Sequence, residues 1–277
     1  MTAPELDAVR LLDGVAVPQL GVGVFQVPPD DAQRVVEDAL DLGYRHVDTA
    51  AAYVNEAGVG AALAASGLPR EDVFVTSKLR NGDQGYDSTL RAYDDTCARL
   101  GLEHLDLYLV HWPNPAAGRY ADSWRALQRL HAEGRVRAVG VSNFLVEHLD
   151  ALDGVPAVNQ VELHPTYQQR DLVAACRDRG IVVEAYSPLG QGADLADPVV
   201  VGLADAHGVT PAQVVLAWHL QSGHVVIPKS SRRERLAENL AAAELVLTQD
   251  ELAAVTALDR GHRTGGDPAT FSLSQIR

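Results

Sequence analysis

The segment VDTAAAYVNE, residues 47–56, decides how the chain folds. A short apolar strand ends at Asp48, a few loop residues carry Tyr53, and a helix then opens. Two later strands end in the same way, because VFVTSKL brings Lys78 to its end and LDLYLVHWP brings His111. A parallel barrel collects its chemistry at the carboxyl ends of its strands. The pattern therefore predicts an acid, a phenol, an amine and an imidazole at one barrel mouth.

Outward from this segment, strand-like and helix-like patterns alternate eight times. Amphipathic stretches with helical spacing separate the strands, as at 31–42, 87–101, 120–133, 167–179 and 210–221. The alternation predicts an α/β fold, either a closed parallel (β/α)8 TIM barrel or a large doubly wound sheet. The strands are Val-, Ile- and Leu-rich runs typical of buried parallel sheet, at 21–25, 45–49, 73–79, 105–110, 136–141, 158–162, 181–185 and 224–227.

The doubly wound alternative lacks its phosphate-binding loop. The nearest match to a dinucleotide fingerprint starts at Gly21, but it has no third glycine and precedes a Pro-Pro break instead of a helix. No GxxxxGK[ST] motif occurs either. The barrel is therefore favoured, and the 277 residues suit one such domain, 1–277, since a barrel typically takes about 250. The opening LLDGVAVPQLG predicts a β-hairpin turning at Asp13-Gly14 that plugs one end.

Composition excludes several classes of partner. A formal net charge of −14 argues against binding to nucleic acid or to an anionic membrane. The start MTAPELDAVR lacks the pattern of a signal peptide, and no apolar run has the length of a membrane span, so we expect a cytoplasmic protein. Cys97 and Cys176 have no metal-type neighbours and are expected to be reduced packing residues.

The four strand-end side chains can be related by charge. Lys78 ends a buried strand, so a carboxylate is expected beside its ammonium group, and Asp48 is the natural partner. From these two residues alone, a purely structural ion pair remains open. Tyr53 beside the pair changes this, because a nearby ammonium lowers the pKa of a phenol from its ordinary value near 10. Tyr53 would then be a general acid, and His111 would bind the same substrate oxygen.

The chain resembles the aldo-keto reductases. DTAAAYVNE, TSKL, LDLYLVHWP, VGVSNF, VNQVELHP, YSPLG and IPKSSRRERLAENL stand in the family's order and cover most of the chain. Short loops and acidity make it similar to the diketogluconate reductase branch. The resemblance implies that NADPH reduces a small carbonyl compound, such as an aldehyde, a ketone, a keto acid or a diketo sugar. It also implies that Tyr53 donates the proton, Lys78 and Asp48 tune it, His111 orients the carbonyl, and the protein is a monomer.

The resemblance also implies where the cofactor binds. Ser142, Asn143 and Gln160 would hold the carboxamide, which needs both donors and acceptors. Tyr186 would stack on the nicotinamide ring, with Ser187 and Leu189 following it in YSPLG.

A basic cluster suggests which cofactor is used. Lys229, Arg232 and Arg235 surround Ser230-Ser231 at a predicted helix start, where Ser231 and Glu234 fit a capping box. Free backbone N–H groups and three cations favour an anion there, which in so acidic a chain suggests the 2′-phosphate of NADP. An exposed basic helix end is the alternative. By resemblance, Glu238 and Asn239 lie on the adenine side.

Three residues are predicted to line the substrate pocket: Phe25, Trp112 and Arg80. Relatives often have tryptophan at the positions of Phe25 and Arg80, so a less apolar pocket is expected. Arg80 could hold a substrate carboxylate, since guanidinium binds one bidentately, or it could point into solvent. The tail RTGGDPATFSLSQIR matches the family's variable segment over the pocket.

Two other functions remain open. The first is a non-catalytic NADP(H)-binding sensor on the same barrel, against which the intact set of Asp48, Tyr53, Lys78 and His111 argues. The second is a metal-dependent hydrolase that uses His111 with Glu162 and His164. We expect no metal, because the run of residues 162–165 looks like an ordinary packed strand end.

Overall fold

The computed structural model describes residues 7–273; the first six residues of the opening and the last four of the tail lie outside this range. The described chain begins with an antiparallel hairpin of β1 (Ala8–Arg10) and β2 (Ala16–Pro18). The predicted turn lies between them, where Gly14 adopts a φ of 77°. Positive φ of this kind favours glycine because it has no Cβ.

Eight further strands form a parallel sheet in which each strand pairs with the next along the chain. Hydrogen bonds from Gly21 N to Val226 O (2.8 Å) and from Val226 N to Gln19 O (2.8 Å) join its last strand to the segment before its first. The sheet therefore closes, which confirms the predicted TIM barrel and excludes a doubly wound sheet with two free edges. The strands are β3 (Val22–Gly23), β4 (His46–Asp48), β5 (Phe74–Leu79), β6 (Leu105–Val110), β7 (Val136–Ser142), β8 (Val158–Glu162), β9 (Val182–Tyr186) and β10 (Val225–Val226).

Helices surround the barrel and bury its outer face. The five helices expected from spacing are present, with ends shifted by at most three residues, while α5, α7 and α10 were not singled out. They are α1 (Pro29–Leu42), α2 (Glu56–Ala65), α3 (Tyr86–Leu100), α4 (Tyr120–Ala132), α5 (Val146–Asp150), α6 (Arg170–Asp178), α7 (Pro198–His207), α8 (Pro211–Gln221), α9 (Arg233–Leu240) and α10 (Gln249–Thr256).

The hairpin closes the amino-terminal end of the barrel. Leu11 and Val17 pack into an apolar cluster with Phe74, Leu107 and Leu109 of the barrel strands. Burial of each such side chain is favourable by about 1.5–3 kcal/mol. The predicted plug is therefore confirmed, and the opposite mouth is left for ligands.

No single helix within residues 7–273 has the length and apolar composition of a membrane span; α7 and α8 would reach it together, but they are bent by 95°.

Candidate active site

Lys78 is the centre of a buried hydrogen-bonding cluster at the carboxyl ends of β4 and β5. Its ammonium group donates to Asp48 Oδ1 at 2.6 Å, to the Thr49 carbonyl oxygen at 2.9 Å and to Tyr53 Oη at 3.3 Å. Lys78 has no exposed surface, and Asp48 is almost as buried. An ammonium group has three hydrogens, so these three acceptors use all of its donors.

The charges in this cluster depend on burial and on Asp48. Burial alone would lower the pKa of Lys78, but neighbouring groups, chiefly Asp48, together outweigh it and raise the pKa above its ordinary value. The amine is therefore charged at neutral pH, as the sequence predicted. Tyr53 differs from its prediction: burial raises its pKa to about 12, and Lys78 offsets only part of this effect. The phenol keeps its proton at neutral pH.

The loop that carries Tyr53 is fixed by Asn55. Thr49 Oγ1 donates to Asn55 Oδ1 at 2.9 Å, and Asn55 Nδ2 donates to the carbonyl oxygens of Val24 (2.9 Å) and Val27 (3.2 Å). The side chain thereby ties the loop after β4 to the loop after β3. Between Tyr53 and Asn55, Val54 has a φ of 61°, which a β-branched residue rarely adopts. The tyrosine is thus held by a strained turn that the asparagine stabilises.

His111 faces Tyr53 at the mouth. The two rings lie edge to face, with centroids 5.6 Å apart. Burial, followed by the charge of Lys78, holds the pKa of His111 well below its ordinary value, so the imidazole is neutral. Its Nδ1 is buried without a hydrogen-bond partner among the described residues. A proton is therefore better placed on Nε2.

A cavity of about 580 Å³ opens at this mouth. It contacts most of the residues predicted for catalysis, cofactor and substrate. Lys78 lies behind Tyr53 and does not line it. The predicted residues in its lining are Phe25, Asp48, Tyr53, His111, Trp112, Ser142, Asn143, Gln160, Tyr186, Ser187, Leu189, Lys229 and Arg235. Lining residues that were not predicted include Gln26, Gln191, Gly192, Leu195, Ile227 and Pro228.

The polar groups on the cavity's barrel side are hydrogen-bonded to one another. Tyr186 Oη donates to Asn143 Oδ1 at 2.7 Å, and Asn143 Nδ2 donates to the His111 carbonyl oxygen at 3.0 Å. Ser142 Oγ donates to the Gln160 carbonyl oxygen at 2.8 Å, and Gln160 Nε2 donates to Asp48 Oδ2 at 2.8 Å. These amide and hydroxyl groups are preorganised, and the bonds link the candidate cofactor residues to Asp48.

The basic cluster lies beside the cavity. Lys229, Arg232 and Arg235 are exposed, and none of the three forms an ion pair within the part of the chain that the structure describes. Arg233 differs, since it contacts Asp38 and Asp41. The three free cations fit an anionic group of a nucleotide.

The predicted capping box at this helix is wrong. The helix begins at Arg233, and Arg232 is its N-cap without a side-chain hydrogen bond. Ser230 Oγ instead accepts from the Arg232 N–H at 3.2 Å, so the serine one residue earlier orders the turn. Ser230, Ser231, Arg232, Glu238 and Asn239 lie on this turn and on α9, outside the cavity lining.

Arg80 is not in the cavity lining. Its guanidinium donates to both carboxylate oxygens of Asp83 at 3.0 Å. Because a carboxylate of this chain already occupies the bidentate donor face, the hypothesis that Arg80 holds a substrate carboxylate has no support here.

The rim contains a buried cluster that the sequence did not predict. His164 Nδ1 contacts Asp194 Oδ2 at 2.8 Å, and its Nε2 contacts Glu162 Oε1 at 3.2 Å. Burial opposes protonation, but the two carboxylates raise the pKa of His164 to about 9, so it is an imidazolium. Glu162 also accepts from the backbone N–H groups of Thr264 (2.6 Å) and Gly265 (2.8 Å). We call these five residues the tail clasp. The expectation of ordinary packing at residues 162–165 is wrong.

The tail clasp positions the carboxyl-terminal segment over the cavity. Gly265, Gly266 and Phe271 line the cavity, and Phe271 stacks on Trp112 with ring centroids 4.0 Å apart. Asn81 Nδ2 donates to the Leu273 carbonyl oxygen at 2.8 Å farther along. The tail is therefore part of the site, as the resemblance implied. Its anchor on Glu162 could have been suspected from a glutamate at a strand end in an otherwise apolar run.

No group of three or more His, Cys, Asp or Glu side chains in residues 7–273 is arranged to hold a metal ion. His164 lies between the carboxylates of Glu162 and Asp194.

Comparison with known proteins agrees with this arrangement. The profile of the aldo/keto reductase family matches residues 19–260. The chain is 50% identical over 270 residues to an aldo-keto reductase of Mycolicibacterium smegmatis, covering 96% of this chain and 98% of that protein. It is 44% identical to morphine 6-dehydrogenase of Pseudomonas putida, covering 97% and 96%.

A solved structure supports the same assignment. A mutant of Gox0644 in complex with NADPH superposes with a TM-score of 0.93 and 47% identity, covering 97% of this chain and 99% of that one. The chain therefore belongs to the aldo/keto reductase family. With that membership it is an oxidoreductase that uses NADP(H). The similarity to the diketogluconate reductase branch remains a prediction.

Proposed function

We propose that the protein reduces small aldehydes and ketones with NADPH, and that Tyr53 is the general acid. The observation that carries the proposal is the contact of Lys78 Nζ with both Asp48 Oδ1 and Tyr53 Oη. This contact places the charged amine of Lys78 against the phenol oxygen of Tyr53. A structural ion pair would not need the tyrosine.

The residues around the cavity fit NADPH. Its 2′-phosphate would lie against Lys229, Arg232 and Arg235, which have no carboxylate partners among residues 7–273. The amide and hydroxyl groups of Ser142, Asn143 and Gln160 would hold the carboxamide, and Tyr186 offers a ring face. When bound, NADPH supplies a hydride for the carbonyl carbon.

Tyr53 would supply the proton for the carbonyl oxygen. With a pKa of about 12 the phenol is protonated at working pH, and the bond from Lys78 reaches its oxygen without using its hydrogen. As the proton leaves, the phenolate gains the full attraction of the ammonium group. Neutral His111 would donate from Nε2 to the same oxygen and orient it.

The substrate end of the cavity favours apolar carbonyl compounds over keto acids. Phe25, Trp112 and Phe271 line the cavity together with Tyr53, and the Phe25 and Tyr53 ring centroids are 5.1 Å apart. Arg80 is paired with Asp83 and lies outside the lining. Simple aldehydes and ketones should therefore be assayed as substrates before diketo sugars.

The test is NADPH oxidation with a reactive aldehyde or diketone by the wild type and Tyr53→Phe, with NADPH binding followed by tryptophan fluorescence. We expect kcat to fall by a factor of about 10³ or more while NADPH still binds. Tyr120→Phe, on α4 against Phe144 and away from the cavity, is the matched control. Tight NADPH binding without turnover of any carbonyl by the wild type would instead indicate a sensor.

A further inference from the structure

Glu184, in the interior of the barrel, is a buried carboxyl group that no hydrogen bond satisfies. Only 1% of the residue is exposed, and neither carboxylate oxygen has a hydrogen-bond partner among residues 7–273. Its strand, β9, places it beside Gln160 of β8 in the register of the barrel. Buried carboxylates are normally paired, because an unpaired buried charge is costly.

Most hydrogens near Glu184 are donated elsewhere, and the second hydrogen of Gln160 Nε2 makes no hydrogen bond to it. Lys78 donates its three hydrogens to Asp48, Thr49 and Tyr53. The nearest basic atom is His46 Nε2, at 3.7 Å from Glu184 Oε1. Five groups face Glu184 or act on its charge. They are His46 and Asp48 from β4, Tyr53 from the loop after β4, Lys78 from β5, and Gln160 from β8.

The tautomer of His46 follows from its bonds. Nδ1 lies 3.2 Å from the Pro18 carbonyl oxygen, which can only accept, so Nδ1 carries the ring proton. Nε2 therefore presents a lone pair, which accepts from Thr76 Oγ1 at 3.2 Å. Burial lowers the pKa of His46 to about 4, so the ring stays neutral. A lone pair and a carboxylate oxygen 3.7 Å apart repel, which a proton on Glu184 relieves.

We propose that Glu184 is a positioning residue that stays protonated in the working enzyme, and that its neutrality lets Tyr53 become a phenolate. The proposal rests on the reaction proposed above. When the Tyr53 O–H bond breaks and the substrate oxygen gains the proton, Lys78, Asp48 and Tyr53 together carry one net negative charge. An ionised Glu184 would add a second in the same buried layer.

The electrostatics of the site agree with this geometry. Burial, and then repulsion from Asp48, raise the pKa of Glu184 to about 8, against a smaller opposite effect of Lys78 and Gln160. Glu184 in turn acts to raise the pKa of Tyr53. The reaction should therefore slow as the pH rises through about 8, well before Tyr53 itself titrates.

The first experiment compares the pH dependence of kcat/KM for aldehyde reduction in the wild type, Glu184→Gln and Glu184→Leu. We expect the wild-type value to fall about tenfold for each pH unit above 8, and both neutral variants to lose this limb. At about pH 6.5 Glu184→Gln should stay within roughly threefold of the wild type. An unchanged alkaline limb, or a hundredfold loss at that pH in a folded variant, would overturn the proposal.

A second measurement does not need turnover. Infrared difference spectra of the wild type without cofactor should show a carboxylic-acid carbonyl band that disappears with a midpoint near pH 8 and is absent from Glu184→Gln. Glu56→Gln is the matched control, because Glu56 is also buried but binds Ser77 and Arg99 instead of this cluster. No such band in the wild type would refute a protonated Glu184, even if reductase activity were not found.

Discussion

Glu184 and Glu162 lie on neighbouring strands, and each is 1% exposed, yet their surroundings are opposite. Glu184, in the barrel interior, accepts no hydrogen bond from the described residues, and its pKa is raised to about 8. Glu162, at the rim, accepts from Thr264, Gly265 and His164, and these bonds hold its pKa below the ordinary value although burial acts the other way.

The difference separates two ways of building the site. In the interior, strand register fixes each side chain, so a charge there is set by its burial and its fixed neighbours. At the rim, loops and the tail supply backbone N–H groups that adapt to the charge. We expect interior substitutions to affect the chemical step, and rim substitutions to affect substrate binding and stability.

Lys78→Met should give the largest effect and tests the interior half of the comparison. It removes the charge that stabilises the phenolate and leaves Asp48 buried without its ion partner. We expect kcat to fall by a factor of about 10³ and the free energy of unfolding to fall by about 3–5 kcal/mol. Steady-state kinetics and urea unfolding measure the two losses.

The double variant Lys78→Met with Asp48→Asn separates these losses. Removing the orphaned charge should recover much of the stability but none of the activity. Recovery of turnover in the double variant would mean that the ammonium group has no direct effect on Tyr53.

Glu162→Gln tests the rim. The amide has one acceptor oxygen and a donor group that would face the N–H groups of Thr264 and Gly265, so the tail should detach from its anchor. We expect KM for the carbonyl substrate to rise about tenfold, corresponding to about 1.4 kcal/mol, with kcat and NADPH affinity changed less than threefold. A fall in kcat at unchanged KM would contradict a rim role. Glu147→Gln, on the separate helix α5, is the matched control.

The pH dependence of stability gives the most local test of the rim. The pKa of His164 is raised from 6.5 to about 9, so its contribution is complete below pH 6.5 and is lost as the pH rises through 9. The full contribution is about 3 kcal/mol. Urea unfolding from about pH 6 to about pH 10 should show this loss in the wild type and not in His164→Asn. Equal slopes for the two proteins would mean that the histidine is not an imidazolium.

The fold and the strand-end residues were predictable because their signals are local. A buried strand shows as a run of Val, Ile and Leu, and the residue ending it must reach the mouth, so Asp48, Lys78 and His111 follow directly. Tyr53 was predictable as a candidate, but its pKa was not. The direction of that pKa shift depends on how completely the folded chain excludes water from Tyr53. The spacing of residues along the sequence does not show this.

The remaining features depend on contacts between distant segments. The tail clasp joins residues about a hundred positions apart, and the partner of Arg80 was decided by the geometry of a short turn. Ser230 replaced Ser231 as the residue that orders the start of α9, because the helix begins one residue later than the capping pattern indicates and Ser230 binds the Arg232 N–H before it. Such outcomes follow from three-dimensional packing and not from sequence periodicity.

Asn55 has a consequence for protein engineering. Its side chain binds the carbonyl oxygens of Val24 and Val27, so the loop bearing Phe25 and the loop bearing Tyr53 form one mechanical unit. A library that exchanges either loop alone would break these bonds and displace the tyrosine. Loop grafting between relatives should therefore move residues 24–27 and 49–55 as a single cassette.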